Sequence, residues 1–466
     1  MKEKKKGIKI NAFCLLFCVI IICALASYVI TPGTFERQIV DGRTVVVPGS
    51  YHVIEKAALS PLAIFNAIPN GIIGAANMVV LILLVGGSIE VYNKSGAINA
   101  GIGKLVKSVG SKGGPLVITV FFAVFAVLGG FLGWIEVCIP FAPLIIPILL
   151  ALGYDTIVAV SILVLGLMVG FAIGPTNIYT VGIAHQVSQL PIFSGIKLRL
   201  IAYFIFTGIT LIYILMYAAK IKKDPEKSYM KGIDVSDLNV DLSKNAEITK
   251  SQSMALVILV LTFIISVYGM LKLKWSIVDM TGVFLLSGIV AGFVTKMSAS
   301  DIADSFIEGS KGAMGGAMIV GVARGVQWIL EQGGIIDPII NGLSQLLDGL
   351  PPVGSAIGVF IVVSLLNALV PSGSGKAMAL MPILMPLAEL IGITRQTMIL
   401  AYQFGDGISN IFWFTYGGLL IFLSYGKIPL ARWYKFVMPL IAVMIVLAII
   451  FLSIACLLYT SDAADE

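Results

Sequence analysis

Glu136, Lys376 and Asp406 each interrupt a long apolar stretch. At the centre of a membrane helix one charge costs about 2.5 to 3.5 kcal/mol on insertion scales, so each must be compensated or used. Glu136 ends the turn Gly129-Gly130-Phe131-Leu132-Gly133-Trp134-Ile135-Glu136, and Lys376 ends Pro371-Ser372-Gly373-Ser374-Gly375-Lys376, 240 positions later. A lysine suits a substrate carboxylate, and a glutamate suits an amino or guanidino group. Together they would fit a zwitterionic or cationic amino acid. The competing reading is that the two pair with each other or elsewhere in the protein. Asp406, between Gly405 and Gly407, suits Na⁺ binding, proton carriage or the capping of a broken helix. The candidate substrate site is Glu136, Ser372, Gly373, Ser374, Gly375, Lys376, Thr176, Asn177, Asn410 and Thr415. Gly174, Asp406 and Ser409 are candidates for ion coupling.

The composition tells what holds these residues. The chain has 466 residues, 58% hydrophobic and only 12% charged, with mean hydropathy +1.01. A soluble domain carries about 25% charged residues, so this is a polytopic membrane protein. The net charge of +6 gathers in short stretches such as Lys2 to Lys6, Lys104/Lys107/Lys112 and Lys220/Lys222/Lys223/Lys227. That is the positive-inside pattern, which puts the N-terminus in the cytoplasm and excludes a nucleic-acid footprint. Cys14, Cys18, Cys23, Cys138 and Cys456 lie in apolar segments without metal-ligand spacing and read as packing residues. His52 and His185 read as solvated loop histidines, and no metal site is expected.

Read in order, the chain gives a first span at Ile8–Ile30, uncleaved, then a mixed-charge extracytoplasmic loop at 31–58. Pro61–Ile73 reads as interfacial and Ala75–Val91 as a span. Ala97–Val109 is amphipathic, with Lys104 and Lys107 opposite Ile98, Ile102 and Leu105. Pro115–Leu152 forms a first helical hairpin. Thr156–Ile173 is a helix broken at Gly174-Pro175-Thr176-Asn177, because proline removes a donor and frees a carbonyl. It is followed by a span at Leu198–Ala219 and a polar linker. The second half offers spans at Met254–Leu271 and Ile277–Val294, an amphipathic stretch at Ser300–Ser310, a span at Ala313–Leu330 and an arm at Ile335–Leu347. The second hairpin runs from Ser355 to Leu390, and a second broken helix runs from Gln396 to Leu423, interrupted near Gly405–Asn410. A last span covers Phe436–Tyr459. Each arm of the second hairpin has about 16 residues, or about 24 Å at helical rise, short of a hydrocarbon core of roughly 30 Å. The hairpins are therefore expected to be re-entrant, with tips that touch a solute. The tail Thr460–Glu466 is polar and acidic and carries no functional reading.

Pro143 and Pro382, Pro147 and Pro386, Gly153 and Gly392, Gly166 and Gly405, and Thr176 and Thr415 are each 239 apart. Such constant spacing argues for duplication. The order span, arm, hairpin, broken helix, span starts outside in one half and inside in the other. This is the inverted repeat of an alternating-access transporter.

The motifs at 370–377 (VPSGSGKA), 381–387 (MPILMPL) and 403–410 (QFGDGISN), with Trp134 to Glu136, Pro140 to Pro143 and Gly174 to Asn177 in the first half, resemble the C4-dicarboxylate anaerobic carrier-like family, YfcC type. The likeness covers nearly the whole chain. It departs at Phe414-Thr415, where Pro-Thr would be expected. The resemblance implies the ion-transporter superfamily, whose members are often dimers with a fixed scaffold and a mobile elevator domain. The expected fold is an all-α, inverted-repeat, elevator-type membrane protein with two re-entrant helical hairpins and two broken helices. Scaffold would be 1–114 and 253–353, transport units 115–219 and 354–459, cytoplasmic linker 220–252 and tail 460–466.

The expected function is secondary transport of a small carboxylated metabolite across the cytoplasmic membrane. The resemblance links relatives to dicarboxylates and to basic amino acids such as arginine and ornithine, and Glu136 favours the latter. No cofactor is expected, the coupling ion is open between Na⁺ and H⁺, and the expected partners are substrate, bilayer and a second copy in a homodimer, without nucleic acid. A channel would need a continuous polar path, and an enzyme would need a nucleophile and base beside Ser372 or Ser374, which the sequence lacks.

Overall fold

The computed structural model describes residues 12–40, 43–55, 59–109, 113–239, 248–345 and 350–458. The lysines at 2–6, Lys112, the end of the arm at 346–347 and the acidic tail lie outside these residues. The described chain is mostly helical, and eight of its helices are long and apolar enough to cross a membrane.

Helices α1 (Ala12–Val29), α2 (Leu62–Gly74), α3 (Ala76–Lys94) and α4 (Ala97–Val109) open the chain. The loop before α2 is not plain coil, as the all-α expectation had it. It pairs Gly33–Thr34 with His52–Val53, and Arg37–Val40 with Arg43–Val46, in two short antiparallel ladders.

The first hairpin is α5 (Gly114–Val127), a π-turn at Leu128–Leu132, a 3₁₀ turn at Glu136–Phe141 and α6 (Ala142–Ala151). With its π-turn the first arm reaches Leu132 and is itself long enough to span. Next comes α7 (Thr156–Ile173), started by Asp155, whose carboxylate accepts from the Val158 N–H at 2.9 Å. Every residue of α7 is buried, as expected of a helix that is apolar all round. Gly166, Gly170 and Gly174 recur at four-residue spacing and let backbones touch. A Cβ on Gly170 would stand 2.4 Å from the Ala126 carbonyl oxygen of α5, and one on Gly174 would stand 2.3 Å from that of Gly130.

After the break come a π-turn at Ile178–Gly182, α8 (Ile183–Val187) and α9 (Ile196–Lys223). The described part of the polar linker, residues 224–239, packs against this unit and the turn at Lys427. Asp155 Oδ2 accepts from Tyr217 and Ser228 hydroxyls at 2.6 Å each, Met230 is buried, and Asp237 pairs with Lys427 at 2.6 Å.

The second half has α10 (Lys250–Lys272), α11 (Ile277–Val294), α12 (Ala299–Gln332) and α13 (Ile336–Gln345). The separate amphipathic stretch and span expected between Ser300 and Leu330 are one 34-residue helix, α12. Gly309 within it marks close packing: a Cβ there would meet the Gly86 oxygen of α3 at 2.4 Å. Then follow α14 (Pro352–Asn367), α15 (Gly373–Ile391), α16 (Arg395–Ser409), α17 (Gly417–Tyr425) and α18 (Leu430–Leu458).

Two boundaries differ from the sequence reading. The helix of the second hairpin resumes at Gly373, so Gly373 to Lys376 form its first turn and not the connecting loop. The second break lies at Asn410–Tyr416, because α16 runs unbroken through Gly405-Asp406-Gly407. Those two glycines serve close approach. A Cβ on Gly405 would be 2.5 Å from the Phe360 oxygen of α14, and one on Gly407 would be 2.1 Å from Ala172 Cα of α7.

Helix α16 runs antiparallel to the α7–α8 path. Its C-terminal half meets α7 at Gly407 and through Gln403 Nε2, which donates to the Gly174 oxygen at 2.8 Å. Its start meets the end of α8, where Arg395 donates to the Ser188 oxygen at 2.8 Å. His185 is buried here, accepting the Phe193 N–H at 3.0 Å and lying 3.2 Å from Gln396 Oε1, not solvated as expected.

Substituting Gly170 by Leu should drive a side chain into the α5 backbone. Overpacking of this kind typically destabilises by about 1–3 kcal/mol. The purified variant is expected to melt well below wild type, and an unchanged melting temperature would refute the close contact of α5 and α7.

Candidate functional site

At the first break, Asn177 holds the freed backbone. Its Oδ1 accepts from the Tyr179 N–H at 3.0 Å and its Nδ2 donates to the Phe171 oxygen at 3.1 Å. Thr176 donates its hydroxyl to the Phe131 oxygen at 3.0 Å, which ties the break to the first hairpin turn. That turn reverses at Gly133, φ +70°, a conformation that favours glycine. A Cβ there would also stand 2.4 Å from Asn177 Oδ1.

At the second hairpin, Ser372 precedes α15, and its hydroxyl accepts from the Gly375 N–H at 3.3 Å. Lys376, one turn later, points into the protein with 3% of its side chain exposed. Its Nζ lies 2.6 Å from Asp406 Oδ1, itself 1% exposed, and also donates to Asn367 Oδ1. Asn367, the last residue of α14, has Nδ2 within reach of the Asp406 oxygen (3.1 Å), Ser409 Oγ (2.8 Å) and Asn410 Oδ1 (2.7 Å). One lysine and one asparagine thus fasten both arms of the hairpin to the end of α16. Asp406 Oδ2 accepts no hydrogen bond among the described residues, and it would lie 3.0 Å from a Cβ on Gly373.

Both hairpin turns border one cavity of about 240 Å³. Its wall includes Gly133 to Val137 from the first turn, Pro371 to Ser374 from the second, Phe171 and Tyr179 beside the first break, and Asn410 and Tyr416 from the second. Met270 of α10 and Ile277 of α11 close one side. Glu136 is half-buried on this wall, and its Oε1 accepts from the Tyr416 hydroxyl at 3.1 Å.

Of the residues picked out by sequence, Glu136, Ser372, Gly373, Ser374 and Asn410 line the cavity. Gly375 and Lys376 face a second cavity of about 460 Å³, shared with Ser372 and bordered by Arg37 and Asp337. Gly174, Thr176, Asn177, Asp406, Ser409 and Thr415 are not among the wall residues of the first cavity and act behind it. The Thr415 hydroxyl is buried without a hydrogen-bond partner among the described residues. Of the two readings of Lys376, a substrate carboxylate or a partner within the protein, the geometry has the second: it faces Asp406, as a buried ammonium requires a counter-charge. Trp134, Tyr179 and Tyr416 also line the cavity, whereas the nearby Trp413 turns away and its indole N–H donates to the Ser364 oxygen at 2.6 Å. Sequence reasoning passed over Asn367 and Gln403, although an amide in an apolar helix is itself a signal of a required partner.

A family model described as the C4-dicarboxylate anaerobic carrier matches residues 11–457. The chain is 33% identical over 425 residues to an uncharacterized protein of Haemophilus influenzae, covering 90% of this chain and 83% of that one. It is 28% identical over 463 residues to an Escherichia coli strain K12 protein named "Putative basic amino acid antiporter YfcC", covering 90% and 91%. Among solved structures, the Alcanivorax borkumensis YdaH transporter is similar at 15% identity and TM-score 0.41, covering 96% and 98%, too distant to carry an argument.

Lys376→Met should leave Asp406 buried and unpaired, a change that typically costs about 3–5 kcal/mol. The double variant Lys376→Met/Asp406→Asn should recover much of that loss. Thermal melting of the three purified proteins checks this, and additive losses in the double variant would contradict the pair.

Proposed function

The chain belongs to the C4-dicarboxylate anaerobic carrier family, a family of membrane transporters, and from that premise we propose that it is a secondary transporter for a basic amino acid such as arginine or ornithine. The observation that carries this reading is the sign of the cavity. Glu136 lines it with the Tyr416 hydroxyl as partner, whereas the positive charge of Lys376 is engaged by Asp406. A guanidinium or ammonium would complete Glu136. The substrate's α-carboxylate would meet Ser372, Ser374 and the backbone N–H groups that start α15, the end of a helix that favours anions. The name of the Escherichia coli relative points the same way. The substrate itself undergoes no chemistry in this reading.

The transport unit would be residues 115–219 with 354–459, carried as an elevator past a scaffold of 1–114 and 253–353, with 220–252 as the cytoplasmic linker. Helix α16 antiparallel to α7–α8 is what an inverted repeat requires. The hairpin turns meeting at one cavity fit re-entrant elements that converge at the substrate. The protein would act as a homodimer in the cytoplasmic membrane with its N-terminus inside.

A second reading, transport of a C4-dicarboxylate, is favoured by the family description. It requires a cationic contact in the cavity, and Lys376 could supply it only by leaving Asp406. Counterflow in proteoliposomes separates the two. Labelled arginine or ornithine is expected to exchange, with Glu136→Gln lowering the rate by roughly tenfold or more, the scale of a lost charge-assisted contact. Exchange of labelled succinate alone, unchanged in Glu136→Gln, would overturn the amino-acid reading.

A further inference from the structure

A broken helix presents freed carbonyls and the negative end of its dipole, the usual seat of a coupling cation. In this protein the chain itself fills both such seats. At the end of α7, Gln403 Nε2 donates to the Gly174 oxygen at 2.8 Å and Asn177 Nδ2 to the Phe171 oxygen at 3.1 Å. At the end of α16, Asn367 Nδ2 reaches the Asp406 oxygen at 3.1 Å, and the Lys376 ammonium lies 2.6 Å from the Asp406 carboxylate and against Asn367 Oδ1. The first seat takes amide donors directly, and the buried Arg199 guanidinium stands behind it, donating to Gln403 Oε1. The second holds a carboxylate and takes a full positive charge, with Ser409 Oγ and Asn410 Oδ1 converging on the same asparagine.

Building on the transport reading above, we propose that the Lys376 ammonium is a resident substitute for a coupling cation, so that exchange needs no Na⁺ and removing the ammonium opens a Na⁺ site at Asp406. A mobile Na⁺ would have to displace Lys376 from a pair whose members are 3% and 1% exposed, leaving an ammonium buried without its counter-charge. Without Lys376, the hard oxygens of Asp406 and Asn367 remain at the end of α16 and suit an alkali cation. The driving force for uptake must then come from the counter-solute or another ion, not from a Na⁺ gradient acting at this seat.

The test compares wild type, Lys376→Met and Lys376→Met/Asp406→Asn in NaCl and in choline chloride of equal ionic strength. Wild-type arginine or ornithine counterflow and wild-type melting temperature are expected to be the same in both salts. Lys376→Met is expected to melt higher in NaCl than in choline chloride, as a bound ion stabilises the folded state, and the added Asp406→Asn should abolish that gain. Wild-type exchange or stability that requires Na⁺ would overturn the proposal, and so would a Lys376→Met protein indifferent to Na⁺, which would make the pair purely structural. If Lys376→Met does not yield folded protein, Lys376→Gln, which keeps a polar partner for Asp406, takes its place in the melting comparison, and a melting temperature unaffected by Na⁺ overturns the proposal there too. Wild type that exchanges neither amino acid would refute the transport reading alone, because the melting comparison tests the cation seat without a substrate.

Discussion

The ion pair between Lys376 and Asp406 sets the terms for the rest of this structure. A buried ammonium is tolerated only beside a counter-charge with good hydrogen bonding, and Asp406 and Asn367 supply both. That requirement brings the start of α15, the end of α14 and the end of α16 to one point. It also withdraws the positive charge from the neighbouring cavity. Glu136 is left there with a tyrosine hydroxyl, and the polarity of the cavity follows.

The two halves repeat the same order of elements but use charge differently. In the first half the break is held by neutral groups, Asn177 and Thr176, and the charged residue of the hairpin, Glu136, faces the cavity. In the second half the charged residue of the hairpin turns inward to a carboxylate on the broken helix. Close packing makes these contacts possible. Helix α7 is buried on every side, and the glycines on it and on α16 admit neighbouring backbones where any side chain would collide. Burial without a stripe explains why periodicity alone could not have assigned a face to α7.

Much of the fold was legible because capping residues such as Asp155 and Ser276, and the Gly174-Pro175 break, fix the ends of apolar runs locally. Thr156–Ile173 and Ile277–Val294 begin and end where the sequence placed them. The errors have a common cause. Glycine frees the backbone, but it also clears space, and sequence does not say which use applies. Gly405 and Gly407 read as a break and are contact points within α16. The duplication was the better guide: Thr176 and Thr415 correspond, and both lie in the observed breaks, although Phe414 replaces the proline. The site was partly legible. The residues of the turns were visible as polar interruptions, but the direction in which Lys376 points depends on Asn367 and Asp406, which only the packing of α14 against α16 brings to it.

Glu136 is, in the proposed transport cycle, the charge the cavity offers to its substrate. The most direct measurement is equilibrium binding of arginine and of citrulline, its uncharged isostere, to purified wild type and Glu136→Gln. Arginine is expected to bind wild type more tightly by roughly tenfold or more, since a hydrogen-bonded charge contact is worth about 1.5–3 kcal/mol, and that advantage is expected to vanish in the variant. Equal binding of the two ligands by wild type, or a preference for arginine that persists without the carboxylate, would contradict it.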